Sequence, residues 1–109
     1  METTAIIDLN KFRSENSKVF TGRNRGLTVR KSSKIDELEK SNEKVKIIIP
    51  SDLFSINPSF FEEFLYNVVQ KLGKEAFYEK FEFENKGEYE HVEDLEEGIK
   101  RILRRSNAL

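Results

Sequence analysis

Apolar residues recur along this chain at two spacings, and each predicts a type of element. Residues 44–49 (Lys-Val-Lys-Ile-Ile-Ile) are β-branched at four of six positions. That predicts a strand, and the unbroken run at 47–49 predicts burial on both of its faces. Pro50 ends it. Residues 81–84 (Phe-Glu-Phe-Glu) alternate with period two, the mark of a strand with one buried face. Residues 5–9 and 18–20 are shorter β-prone pieces. Leu27-Thr28-Val29-Arg30 has the alternation of one more strand, with Leu27 and Val29 on one side and Thr28 and Arg30 on the other.

Helical spacing is strongest at Phe60, Phe61, Phe64, Leu65, Val68, Val69 and Leu72, which form one stripe with Glu62, Glu63, Asn67, Gln70 and Lys71 opposite. A helix over 59–72 that packs on a sheet follows, with Gly73 as the natural residue past its end and 75–79 as a second helical turn. Leu95, Ile99, Ile102 and Leu103 define a final helix. Its acids come first and its bases last, the order that suits the helix dipole. Ser33 and Asp36 form a start signal for a short helix over 34–41, whose buried face is Ile35 and Leu38. Residues 21–26 and 85–87 read as turns. The order of elements predicts an α/β domain: a single-layer mixed β-sheet packed by helices, with the strand at 44–49 in its centre, in one domain over 1–109.

Composition narrows the chemistry. The 109 residues hold no cysteine, which removes disulfides, thiolate metal sites and thiol nucleophiles. Aliphatic runs stay far below the roughly 18 residues of a membrane span, and the first 20 residues contain no signal-peptide apolar region, so a cytoplasmic protein is expected. The net charge is -1, but residues 1–34 carry eight Lys or Arg against three acids. Such asymmetry marks either two surfaces that pair within one domain or an arm for nucleic acid, with Arg23, Arg25, Arg30 and Lys31 as its contacts. Gly22-Arg23-Asn24-Arg25-Gly26 reads as a tight turn between strands or as a small-anion loop, but it lacks the lysine and hydroxyl of a Walker site. His91, the only histidine, stands just before a helix and is expected to be exposed. Glu90 and Glu93 are too few companions for a metal site, and one histidine offers little to general-base catalysis. No enzyme, metal or cofactor is implied.

The informative stretch is 47–65, where a strand delivers a loop and then an amphipathic helix. Ser59 with Glu62 forms a capping box, or Asn57 caps with Pro58 in the first helical position. In either case a hydroxyl stands near a helix start, where a phosphate would be favoured.

The strand at 45–49, the loop Ile56-Asn57-Pro58-Ser59-Phe60, the helix to Leu72, the strand at 81–83 and the upstream Arg25-Gly26-Leu27-Thr28-Val29-Arg30 with Ile35-Asp36 together resemble the STAS superfamily of anti-sigma factor antagonists. The resemblance is closer still to the STAS-like domain family of bacteria and phages, and it spans roughly residues 5–105. It implies a small sheet backed by helices on one side and a role in protein–protein regulation without catalysis. The implied partner is a regulatory protein of ATPase or kinase-like type, docking around Phe54, Ser55, Asn57, Ser59 and Phe60. Ser59 matches by position the serine that is phosphorylated in the antagonists. Their Asp-Ser-Ser-Gly motif stands here as Asn57-Pro58-Ser59-Phe60, so Phe60 would place a bulky side chain where a kinase loop approaches. The second functional reading, from a different class, is a nucleic-acid-binding accessory protein that uses the basic N-terminal segment.

Overall fold

A computed structural model of the protein describes residues 3–13 and 17–106, so Glu2 and Glu15 of the charge asymmetry lie outside the described residues. The elements follow the order β1 (Thr4–Asp8), a 3-10 turn (Leu9–Phe12), β2 (Val19–Phe20), α1 (Arg23–Ser33), α2 (Ile35–Ser41), β3 (Lys44–Ile49), β4 (Ser55–Ile56), α3 (Pro58–Phe64), α4 (Tyr66–Lys80), β5 (Phe81–Asn85) and α5 (Val92–Ser106). The α/β class is therefore as expected. Every strand pairing is parallel, and the strands fall into two small sheets, β1-β3-β5 and β2-β4. Among the described residues no helix is long and apolar enough to cross a membrane.

The main sheet is wound in one direction. The chain steps from β1 to β3 through α1 and α2, and from β3 to β5 through α3 and α4. Parallel crossovers share one hand, so two steps in the same direction place both helix pairs on the same face. Register makes that face apolar: Ala5, Val45 and Phe81 form one row, and Ile7, Ile47 and Phe83 the next. The other face carries Ile6, Lys46, Ile48, Glu82 and Glu84, with Lys46 paired to Glu84 at 3.6 Å and Ile6 61% exposed. The central strand is thus buried on one face and not on two: Val45, Ile47 and Ile49 are buried, while Ile48 is half-buried on the outer side.

The segment Leu27-Thr28-Val29-Arg30 is not a strand, and 21–26 is not a turn between strands. Both belong to α1, which starts at Arg23 after Gly22 (φ 86°). The buried positions of α1 are Gly26, Val29 and Ser33. Their spacing is helical, but two of the three are small and leave no trace in hydropathy. They are small because α1 lies against α3: a Cβ added at Gly26 would stand 2.6 Å from the Phe60 carbonyl oxygen. Gly98 of α5 repeats the device from the other side, where a Cβ would meet the Phe61 Cβ at 2.7 Å. Ser33 does not open the next helix. It closes α1, and Lys34 (φ 57°) turns the chain into α2.

The helix expected over 59–72 is broken at Leu65 (φ -98°, ψ 2°) into α3 and α4. Gly73 interrupts α4 where the sequence places an end (φ 82°), and helical turns resume to Lys80. Two acids outside the predicted buried faces are buried. Glu62 of α3 is 1% exposed, and Glu39 of α2 is held by Lys71 at 2.7 Å and Lys80 at 2.9 Å. Burial alone would raise the Glu39 carboxyl, but the hydrogen bonds from both lysines outweigh it and hold the group below its ordinary value.

Gly26→Ala provides a direct test of this packing. Alanine is favoured in a helix by about 1 kcal/mol, yet here its methyl group meets backbone. The substitution should therefore lower stability by about 1 to 3 kcal/mol in urea unfolding. A more stable variant would show that α1 and α3 are further apart.

Candidate functional site

The loop between β3 and α3 is pinned by backbone hydrogen bonds. The Phe54 amide donates to the Lys18 carbonyl (2.7 Å), β2 pairs with β4, and the Asn57 amide donates to the Phe20 carbonyl (2.8 Å). Leu53 and Ile56 are buried, while Phe54 between them is exposed. Phe54 is 70% exposed, the highest value among the large hydrophobic side chains described. The Lys18 ammonium lies 5.2 Å from its ring centre, and exposed Val19 belongs to the strand beside it. Arg13 braces the preceding turn through Asp52 at 2.9 Å, and this hydrogen bond lowers the Asp52 carboxyl.

Asn57 is the cap of α3. Its Oδ1 accepts from the Ser59 amide (2.9 Å) and from the Ser59 hydroxyl (2.8 Å), with Pro58 first in the helix. The capping box of Ser59 with Glu62 does not form, because Glu62 turns inward toward Arg23 and Arg105. Ser55 and Ser59 are half-buried. Phe60 has no exposed surface to offer a partner: it is wholly buried against Phe20 and Phe64, with ring centres 4.8 and 5.5 Å away. It therefore leaves the approach to Ser59 unobstructed.

Two of the basic residues meet α3, because α1 packs on it. Arg30 donates to the Glu63 carbonyl (2.9 Å), and Arg23 stands 3.6 Å from Glu62 Oε1. That buried oxygen has no hydrogen-bond partner. Arg105, stacked over Tyr66, completes the cluster on Glu62 and Glu63 at 2.9 and 2.8 Å. Arg25 lines a groove of about 440 Å³ with Val19, Thr21 and Thr28, and Lys31 is exposed.

His91 is half-buried and not exposed. It stacks on Phe83 with ring centres 5.6 Å apart, and its Nδ1 lies 3.1 Å from Asn85 Nδ2. Burial lowers its pKa. Among the described residues no group of three side chains is arranged to hold a metal ion. Sequence reasoning missed Tyr89, whose hydroxyl lies 2.9 Å from the Ile56 carbonyl oxygen and 2.5 Å from Asp94 Oδ2. Burial first, and then Asp94, raise its pKa well above the ordinary value. A single aromatic residue in the charged run at 88–94 was the available signal. Chemically the arrangement is a ribbon pinned by backbone hydrogen bonds that displays an aromatic ring beside one cation, Lys18. The Ser59 hydroxyl faces an amide oxygen, which is no base. No family model, no curated protein and no solved structure matches the chain.

The cap assignment separates two neighbouring side chains. Asn57→Ala should cost about 0.5 to 2 kcal/mol of stability, while Ser59→Ala should stay within about 0.5 kcal/mol, both read from denaturant midpoints. The reverse order would restore the capping box.

A second expectation concerns acid. Folded His91 has its pKa below 6.5, so on acidification the unfolded chain takes up the proton first, and stability falls as pH drops through that value. Glu39 acts lower, losing its contribution as pH falls below 4.5. His91→Phe should flatten the urea midpoint between about pH 7 and 5 while leaving the steeper decline at lower pH. An unchanged slope would mean that His91 titrates as if exposed.

Proposed function

We propose that this chain is a non-catalytic regulatory module of the cytoplasm that acts by docking a protein partner, in the manner of the STAS-like domains that it resembles. The supporting observation is Phe54, a large apolar ring held in solvent by a backbone that is fixed on both sides. Aromatic anchors of this kind contribute most of the free energy at many interfaces, and an anchor already ordered loses little entropy on binding. Val19 extends the apolar area, and Lys18 suits an acidic rim on the partner. The partner type that fits the resemblance is an ATPase or kinase-like regulatory protein.

Ser59 supplies the regulation in this reading. A phosphate there would replace the hydroxyl that donates to Asn57 and would add about two negative charges close to the docking surface. Nucleic acid is the weaker reading, because Arg23 and Arg30 are drawn toward Glu62 and the Glu63 carbonyl.

Affinity capture from the native host tests the docking face when the wild type is run beside Phe54→Glu and an Ile6→Ser control on the open sheet face. A partner retained by the wild type and the control should be lost by Phe54→Glu, with affinity for the purified partner falling by about 2 kcal/mol or more. Undiminished binding by Phe54→Glu would overturn the proposal.

A further inference from the structure

The Phe54 surface borders a second surface of opposite charge. Between Lys74 of α4 and the exposed side of α5 runs a groove of about 640 Å³, with Pro58, Ile99 and Leu103 as apolar lining. Its charged lining is acidic in balance: Glu93, Asp94, Glu96 and Glu97 against Lys74 and Lys100. The groove begins where the Phe54 loop ends. Pro58 lines it directly, the Tyr89 hydroxyl joins the Ile56 carbonyl to Asp94, and Gly98 lets α5 come within contact of the Pro58 carbonyl. On the near side of this border stand Phe54, Val19, Lys18 and Arg25; on the far side are carboxylates around an apolar floor.

We propose that, when free of that regulatory partner, the Phe54 surface is covered by a second copy of this chain, in a two-fold dimer. Phe54 of each copy enters the groove between α4 and α5 of the other, and Lys18 and Arg25 meet Glu93 and Glu96 there. The inference rests on the docking role given to Phe54 above, and it names this second occupant from charge complementarity. A two-fold contact requires one patch that carries both halves of the match, and two such halves lie side by side here. Each interface is made twice, so the contact repeats the same aromatic anchor and the same ion pairs. The charge asymmetry of the sequence has this consequence: eight Lys or Arg against three acids in residues 1–34, and eleven against seventeen in the remainder.

Sedimentation velocity on the full chain provides the test. The wild type should pass from monomer to dimer as concentration rises, and the transition should shift to higher concentration between about 0.1 M and 1 M salt, as the screening length falls from about 10 to 3 Å. Phe54→Glu should weaken the dimer at least tenfold. So should the pair Lys18→Glu with Arg25→Glu, and so should Glu93→Lys with Glu96→Lys, with circular dichroism confirming that each variant is folded. Mixing the two charge-reversed proteins should restore a dimer, because one contact is then swapped and the other is native. A wild type that remains monomeric to about 1 mM, or a mixture that remains monomeric, overturns the dimer. If capture of another protein by the wild type still depends on Phe54 in that event, the docking reading stands and only the second copy falls. If neither depends on Phe54, both fall.

Discussion

The placement of α3 governs the rest of the molecule. This seven-residue helix is enclosed by α1 on one side and α5 on the other, and both approach it at a glycine, Gly26 and Gly98. Contact that close buries Phe60, Phe61 and Phe64 together, and it also buries Glu62. The buried carboxylate then draws Arg23 from α1 and Arg105 from α5, so cations of two neighbouring helices converge on the acid of the third. Fixing α3 fixes its start. Asn57 caps there, the Asn57 amide reaches the Phe20 carbonyl, and Phe54 lies exposed in the loop that leads to it.

The winding of the sheet is the second constraint. With both crossovers on one face, the other face meets solvent, an unusual position for parallel strands. The sequence accommodates this by alternation: Lys46, Glu82 and Glu84 stand between the buried positions, and Lys46 pairs with Glu84 across adjacent strands. Ile6 and Ile48 are the apolar exceptions on that face, and they lie in adjacent rows between charged or polar neighbours.

What could be read from the sequence was what one element determines alone. Period two in Phe81-Glu82-Phe83-Glu84, the stripe from Leu95 to Leu103 and the Asn57-Pro58 helix start all reflect local geometry, and all were legible. What could not be read depends on a neighbour. The α1 helix hides because the face it buries consists of residues small enough to approach α3. The break at Leu65 has no glycine or proline beside it and is imposed by packing. The burial of Glu39 and Glu62 depends on cations 32 to 43 positions away along the chain. At the candidate site the sequence singled out a loop, but it could not tell which of the aromatic residues named there, Phe54 or Phe60, is exposed and which is buried. The loop that carries Phe54 is held by the pairing of β4 with β2, a contact between two-residue strands with almost no pattern of their own.

The parallel register has a consequence for how the chain reaches this state. Ala5 pairs with Val45, and Val45 with Phe81, so each strand of the main sheet waits for a partner about forty residues downstream. At ribosomal speeds of about 5 to 20 residues per second, β1 is exposed for on the order of two to eight seconds before β3 exists, and β3 waits nearly as long for β5. Contacts of such long range also fold slowly once the chain is complete. Throughout that interval the apolar side of β1 is Ala5 and Ile7, and the strand ends at Asp8, whose carboxylate can already accept from the Asn10 amide. A first strand this short, bounded by a charge, offers little purchase for mispairing while synthesis continues.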